Sequence, residues 1–141
     1  MKQLAFGPDV ATLLATAALP SDDLHGSTNV LLFGERSSGR LTAVVGLECY
    51  GRAALLRSLA VDITERGKGM GNKLVEYAEA KAWSMGVTNL YLLTTTAQKF
   101  FKRHGYQSIE RAAAPEAIAR TAQFSVLCPA SSAFMVKQLH S

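Results

Sequence analysis

The sequence predicts a single α/β domain in which helices flank a mixed β-sheet. Three observations support this fold class: a length of 141 residues, three apolar strand-like segments between residues 29 and 62, and helical spacing of the apolar residues that follow. A chain of this length forms one domain of ordinary size around a single core. We therefore expect one domain over residues 1–141.

The first half of the chain predicts a helix followed by a meander of three strands. Asp9 is a candidate N-cap for a helix at Val10–Ala18, which Pro20 ends. The polar loop between Asn29–Glu35 and Leu41–Tyr50 predicts an antiparallel hairpin. A third strand follows at Leu55–Asp62, and its alternation places Leu55, Arg57, Leu59 and Val61 on one face and Leu56, Ser58 and Ala60 on the other.

The second half predicts a helical crossover and a parallel strand pair. Apolar residues at helical spacing predict an amphipathic helix over Lys68–Met85, which Gly86 ends. The strand Asn89–Thr95 follows one helix after Leu55–Asp62, so a right-handed crossover makes the two strands parallel. The remaining expected elements are a short helix at Ala97–His104, a strand at Tyr106–Ile109, a helix at Pro115–Phe124 and a strand at Ala133–Leu139.

Composition and charge limit the classes of partner. The chain carries a formal net charge of +4, and its basic residues are scattered apart from two short clusters. An anionic small ligand is therefore favoured over nucleic acid. No apolar run approaches the ~20 residues that cross a bilayer, and no export signal is visible, so we expect a cytoplasmic protein without a membrane partner. Cys49 and Cys128 are far apart, which predicts neither a metal site nor a disulfide framework.

A glycine-rich turn after the third strand is the strongest functional signal. Gly67, Gly69 and Gly71 allow the backbone to approach a ligand closely, so that amide groups at a helix N-terminus can bind phosphate oxygens. Arg66 and Lys68 add positive charge. The spacing matches neither a Walker loop nor a dinucleotide fingerprint.

The turn instead resembles the R/Q-x-x-G-x-G/A pyrophosphate loop of the GCN5-related N-acetyltransferase family, found here as Arg66–Gly71. Leu59-Ala60-Val61 resembles the strand before that loop, and Ala97–Tyr106 resembles the family's A-x-x-F-Y-x-x-x-G-F segment. The resemblance implies a sheet of about six or seven strands whose parallel strands splay apart, with acetyl-CoA as co-substrate. The cofactor-binding residues that it implies are Leu59, Ala60, Val61, Arg66, Gly67, Lys68, Gly69, Met70, Gly71, Asn72, Thr94, Ala97, Phe100 and Arg103.

Three further segments, Leu55–Val61, Tyr91–Ala97 and Leu127–Ser132, resemble the branch associated with arsenic-resistance operons. That branch implies acetylation of the amino group of arsinothricin-like or phosphinothricin-like amino acids, which are glutamate mimics. Two positions depart from the family. Phe101 stands where a tyrosine often protonates the leaving thiolate, and Thr94 stands in the place of an asparagine.

Three residues are candidates for the acceptor chemistry. Glu48 could accept the amine proton through a water, since a half-buried carboxylate can have its pKa raised, or could simply face water at the sheet. Arg57 stands in an apolar strand and needs an anion, either a substrate carboxylate or an internal partner such as Glu48. Ser58 could relay a proton or could satisfy a neighbouring carbonyl.

The leading functional hypothesis is an acetyl-CoA-dependent N-acetyltransferase that acts on the primary amine of a small amino acid-like molecule. Two alternatives stay open: an acetyltransferase for a protein amine, and a non-catalytic coenzyme-A-binding module, which Phe101 favours. Trp83 lies opposite the apolar stripe of its helix and suggests a homodimer.

Overall fold

The computed structural model describes residues 1–24 and 29–140. The strands of this part of the chain are β1 (Lys2–Leu4), β2 (Val30–Ser37), β3 (Arg40–Tyr50), β4 (Ala53–Val61), β5 (Asn89–Thr94), β6 (Gln107–Ser108) and β7 (Ala133–Gln138). The α-helices are α1 (Pro8–Thr16), α2 (Met70–Ser84), α3 (Gln98–Arg103) and α4 (Glu116–Ala119). A five-residue π-helical turn at Gln123–Leu127 precedes β7.

The strands form one seven-stranded sheet in the order β1-β2-β3-β4-β5-β7-β6. Among the paired strands described, β4 and β5 are parallel and the others are antiparallel. Helix α2 makes the crossover between the two parallel strands, as its length and position require. The predicted fold class is confirmed.

The parallel pair separates in the middle of the sheet. Residues Ala53–Leu55 of β4 pair with Asn89–Tyr91 of β5, although β4 continues to Val61 and β5 to Thr94. Ser58 has a φ of 57°, in the left-handed region, and the register between β3 and β4 shifts nearby. Such an irregularity is a β-bulge, which bends its strand. The bulge therefore opens a V-shaped gap between β4 and β5.

The bulge also makes the predicted alternation of β4 wrong in part. Leu56 and Leu59 pack in the same cluster with α2, while Ala60 packs in the cluster with α1. Leu55 and Leu59 therefore lie on opposite faces of the sheet, because one extra residue reverses the side-chain period. The sequence predicts Leu59 and Val61 on the same face as Leu55, whereas the structure places both on the opposite face, against α2.

Helices cover both faces of the sheet. On one face, α2 buries Leu74, Val75, Ala78 and Ala82. On the other face, α1 buries Val10, Leu13 and Leu14, and α4 buries Ile118 against Leu55 and Tyr91. Trp83 is 41% exposed, as its place on α2 predicts, and the homodimer stays a prediction. In the described part of the chain, we find no helix with the length and apolar character to cross a membrane.

The start of the first predicted helix and the continuity of the last one are predicted wrongly. Gly7 rather than Asp9 is the N-cap of α1, because Pro8 occupies the first turn and the Asp9 carboxylate binds Arg36, at 2.7 Å. The helix predicted at Pro115–Phe124 is divided into α4 and the π-helical turn. Thr121 lies at the break, where its hydroxyl donates to the carbonyl of Ile118 and accepts from the amide of Phe124. The sequence analysis also missed β1.

Gly34 in β2 offers a test of the packing against β1 and β3. A Cβ at this position would lie 2.2 Å from the carbonyl oxygen of Ala43 and 2.7 Å from Cδ1 of Leu4. We expect Gly34→Ala to lower the free energy of unfolding by about 3 kcal/mol or more, because backbone must move. Gly39→Ala is the control: Gly39 has a φ of 80° and open space around its Cβ, so strain alone costs about 1–2 kcal/mol. Urea denaturation measures both, and equal losses would contradict the packing.

Candidate functional site

The glycine-rich turn leads directly into the first turn of α2. Gly67 and Gly69 have φ angles of 79° and 80°, and a Cβ on either would meet no heavy atom within 4 Å. Gly69 is the N-cap of α2 and no side chain caps the helix. Its first amides are therefore available to an external acceptor, and the helix dipole favours an anion there. A cavity of about 270 Å³ lies against this turn, Val61 and Phe100.

Local contacts hold the turn in place. The exposed Arg66 side chain donates from Nε to the carbonyl oxygen of Val61, at 3.0 Å. Lys68 is paired with Glu65 at 3.0 Å and is 65% exposed, so its charge stays close to the turn. On α2, Oδ1 of Asn72 lies 2.8 Å from Nε2 of His104, the C-cap residue of α3. These contacts fix the relative positions of the turn and α3.

A second, larger cavity fills the gap between the diverging strands. Its volume is about 880 Å³. Residues 56–59 of β4, residues 92–94 of β5, the following residues 95–97 and Phe101 of α3 line it. Residues 16–20 at the end of α1 and five residues from the segment before β7 line it as well: Gln123, Leu127, Cys128, Pro129 and Ser132. Arg66 lines both cavities, so the larger one is continuous with the glycine-rich turn.

The two family departures lie in this cavity. Phe101 is 5% exposed and packs against Tyr106. Its ring forms part of the cavity wall but has no ionisable proton to donate. The Thr94 hydroxyl accepts a hydrogen bond from the backbone amide of Ala97, the N-cap residue of α3, at 3.0 Å. Thr94 therefore fixes the start of α3. Arg103, at the other end of α3, is exposed and does not line either cavity described.

Arg57 is the centre of a buried charge cluster. Its Nη1 donates to Asp23, at 2.5 Å, and to Glu48, at 2.9 Å, while Nη2 donates to the other oxygen of Asp23, at 2.7 Å. Its Nε donates to the hydroxyl of Ser58, at 3.1 Å. The sequence analysis left two anions open for Arg57, a substrate carboxylate or an internal partner such as Glu48. The structure shows the pair with Glu48 and adds Asp23 as a second internal partner.

The same cluster accounts for Glu48 and Ser58. Glu48 is 5% exposed, accepts from Arg57 and from the hydroxyl of Tyr50, and lies behind Arg57 rather than in the cavity wall described. Ser58 does line the cavity, and the partner of its oxygen is the Arg57 guanidinium rather than a carbonyl. The cluster therefore brings the three predicted acceptor residues together, but only Arg57 and Ser58 face the cavity.

Burial and pairing shift several pKa values. Burial alone lowers the pKa of Arg57, but hydrogen bonds and charge interactions with Asp23 and Glu48 outweigh it and raise the pKa above its ordinary value. Burial, followed by the hydrogen bond with Glu48, raises the pKa of Tyr50 to about 12. Burial also raises the pKa of the Cys49 and Cys128 thiols, so both are poor nucleophiles.

Three residues that line the cavity or bind its wall were not identified from the sequence: Asp23, Gln123 and Ser132. Asp23 is 34 residues away from Arg57 in the chain, and no local pattern connects the two. Gln123 and Ser132 line the cavity beside Cys128, in the segment predicted partly as helix. The acidic pair Asp22-Asp23 before a strand was the available signal for Asp23, since a buried arginine needs an anion.

Comparisons with known proteins agree with this architecture. The family model of the acetyltransferase (GNAT) domain matches residues 28–108, more than half of the chain. An N-acetyltransferase of Chlorobaculum tepidum, described as uncharacterized, is 45% identical over 69 residues, which are 49% of this chain and 44% of that protein. The chain thus matches less than half the length of this relative.

Solved structures share the fold at low identity. An N-acetylglutamate synthase from Neisseria gonorrhoeae, complexed with coenzyme A and N-acetyl-glutamate, superposes with a TM-score of 0.77 at 19% identity, covering 97% of this chain and 34% of that one. A Mycobacterium tuberculosis protein in complex with CoA gives 0.75 at 20% identity, covering 94% and 93%. The chain belongs to the acetyltransferase (GNAT) domain family, which confirms the predicted family. The arsenic-resistance branch stays a prediction.

The Arg57 cluster can be tested by stability. We expect Arg57→Met to lower the free energy of unfolding by about 3–5 kcal/mol, because it leaves two carboxylates without their cation. Arg36→Met is the control, since the Arg36–Asp9 pair is exposed and contributes at most about 1 kcal/mol. Chemical denaturation at neutral pH compares the variants. Similar losses in both would show that Arg57 is not the cation on which the cluster depends.

Tyr50 provides a test of the cluster at alkaline pH. Below pH 10 the phenol is protonated in both the folded and the unfolded chain. Between about pH 10 and the folded pKa of about 12, the unfolded chain loses the proton first, so stability falls as pH rises. We expect Tyr50→Phe to show a shallower fall over this window, measured as denaturation midpoints at several pH values. Identical slopes for the two proteins would contradict the raised pKa.

Proposed function

We propose that this protein is an acetyl-CoA-dependent N-acetyltransferase that acetylates the primary amine of a small molecule. The observation that carries the proposal is the connection between the uncapped N-terminus of α2 and the long cavity between β4 and β5. A helix N-terminus that favours anions and an adjoining cavity of about 880 Å³ suit a long co-substrate with a charged head and a reactive tail.

The turn fits the pyrophosphate of the coenzyme. Open space beside Gly67 and Gly69 leaves room for phosphate oxygens next to the amides of residues 67–72. Arg66 and Lys68 supply charge, and Asn72 and Met70 complete the first turn of α2. We assign the pantetheine arm to the backbone of Leu59, Ala60 and Val61 and to the neighbourhood of Thr94, Ala97 and Phe100, as the family resemblance implies. Arg103 is proposed to contact the coenzyme only from the surface.

The coenzyme supplies the acetyl thioester. The amine nitrogen attacks the thioester carbonyl, a C–N bond forms, the C–S bond breaks, and the amine proton goes to water or to the leaving sulfur. The protein contributes position, which alone supplies several kcal/mol by making the attack effectively unimolecular. Ser58 is the proposed catalytic hydroxyl at the cavity wall, and Arg57 and Glu48 are proposed to position it. Phe101 lines the cavity but has no ionisable proton, so the proton for the leaving sulfur is proposed to come from the amine or from water.

For the acceptor we propose a small amino acid-like molecule, with arsinothricin and phosphinothricin as candidates from the branch resemblance. Support comes from the size of the cavity, which residues 16–20 and part of the segment 123–132 line in addition to the strands, and from the N-acetylglutamate synthase among the structural neighbours. The cytoplasmic location predicted from the sequence stays a prediction.

Release of free thiol from acetyl-CoA tests the activity. The amine panel contains phosphinothricin, arsinothricin, glutamate and lysine-containing peptides. Turnover of the free amino acids supports a small acceptor, whereas turnover of peptides alone would favour a protein amine. Coenzyme binding without thiol release from any amine would instead favour a non-catalytic coenzyme-A-binding module.

Two glycines at opposite ends of α2 test the coenzyme site. Gly69→Ala puts a methyl group beside the first helix amides at a φ of 80°, and we expect it to weaken coenzyme A binding about 10-fold or more, measured by calorimetry. Gly86→Ala is matched in strain, with a φ of 90° and open space, but lies at the other end of α2. It should lose similar stability and keep its affinity. If the two variants bind coenzyme A with equal affinity, its phosphates do not bind at the N-terminus of α2.

A further inference from the structure

Two buried polar atoms near the end of the chain lack a hydrogen-bond partner. They are Nε2 of Gln123 and Oγ of Ser132, and each residue is 6% exposed. No partner for either atom exists among residues 1–24 and 29–140. A buried donor without a partner is unfavourable because it has lost its hydrogen bonds to water, and such atoms are rare in folded proteins. Their presence calls for an external partner.

Both residues lie in the wall of the large cavity, which Arg57 and Ser58 also line. The Cys128 thiol donates to Oε1 of Gln123, at 3.4 Å, so Nε2 is the end of the amide left without a partner. The backbone of Ser132 is anchored: its amide donates to the carbonyl of Pro129, and its carbonyl accepts from Arg111. The two free groups are thus held in place before any ligand arrives.

Arg57 lines the same cavity but is already engaged. Its guanidinium donates to Asp23, Glu48 and Ser58, and these two carboxylates exceed its single positive charge. A ligand oxygen would have to displace a buried ion pair to reach it, which is costly. Gln123 and Ser132 are therefore donors in the cavity wall that a ligand can use without such a loss.

We propose that Gln123 and Ser132 form the pair that recognises the acceptor substrate, by donating hydrogen bonds to an oxygen atom separate from its reacting amine. The proposal rests on the acetyltransferase function proposed above and specifies its acceptor. The recognised group is an oxygen acceptor, either a carboxylate or an amide carbonyl. The pair positions the acceptor and takes no part in the proton transfers.

Four amines of similar length separate these possibilities: L-glutamate, L-glutamine, L-norvaline and n-butylamine. Norvaline lacks the side-chain oxygen, and butylamine has no oxygen. We expect oxygen-bearing acceptors to be preferred by the wild-type protein. Gln123→Met is expected to lower their kcat/KM about 10-fold, mainly through KM, with butylamine unchanged. Ser132→Ala is expected to act in the same direction. The ratio of kcat/KM for glutamate to that for glutamine shows whether a carboxylate or an amide carbonyl is preferred.

Gln138→Met and Ser131→Ala are matched controls, because both residues are exposed and lie outside the cavity wall. If Gln123→Met lowers kcat/KM equally for all four amines, the effect is one of packing and the proposal is overturned. The proposal is also overturned if the variant keeps the wild-type preference for oxygen-bearing amines. If acetyl-CoA binds but no amine is acetylated, the proposed function fails and this inference fails with it. Acetylation with unaltered preference overturns the inference alone.

Thermal unfolding of the protein without ligands gives a second readout. Because Nε2 of Gln123 has no partner in the described chain, Gln123→Met should unfold at the same temperature as the wild type or higher. A Tm lower by several degrees would show that the amide stabilises the fold itself, which would overturn its role as a free recognition group.

Discussion

The left-handed backbone at Ser58 is the constraint on which the rest of the site depends. It interrupts β4 in the centre of a seven-stranded sheet, where continuous pairing with β5 would otherwise leave no space. Because the two strands separate, their inner edges become the walls of a channel, and α2 begins at the mouth of that channel. The same bulge turns Leu59 toward α2 and leaves Arg57 on the face covered by α1 and α4.

The buried charge cluster closes the other side of this opening. Asp23 belongs to a short helical turn after α1, Glu48 to β3 and Arg57 to β4, so their ion pairs join three separate parts of the chain. Such a cluster contributes little net stability compared with an apolar core, but it defines one arrangement of these segments. Residues 16–20 line the cavity, and the ion pair between Asp23 and Arg57 holds the chain that follows them against β4.

Features encoded in neighbouring residues could be predicted from the sequence. The turn at Arg66–Gly71, the helix after it and the order of strands all follow from short patterns, and the structure has them at nearly the expected positions. The predictions failed where the structure depends on residues distant in the sequence or on irregularities of the backbone. The bulge at Ser58 reversed an alternation that looks regular in the sequence, and a threonine hydroxyl divided the last predicted helix. Gln123 and Ser132 come to line the cavity, and Asp23 comes to bind Arg57, only through the fold. No spacing pattern connects these residues with the rest of the site, although the acidic pair Asp22-Asp23 was a signal for a partner of the buried arginine.

Gly46 lies opposite Arg57 on β3, and a Cβ there would come within 3.2 Å of Cγ of Arg57 and within 3.3 Å of its carbonyl oxygen. The space for the arginine side chain is therefore created by a missing side chain on the neighbouring strand. A side chain at position 46 would also come within 3.2 Å of Cδ2 of Leu32, so shortening Arg57 alone would not make room for it. The glycine therefore does more than accommodate the arginine: it lets β3 and β4 approach closely beside the bulge, and the buried cation depends on a backbone contact as well as on its two carboxylates.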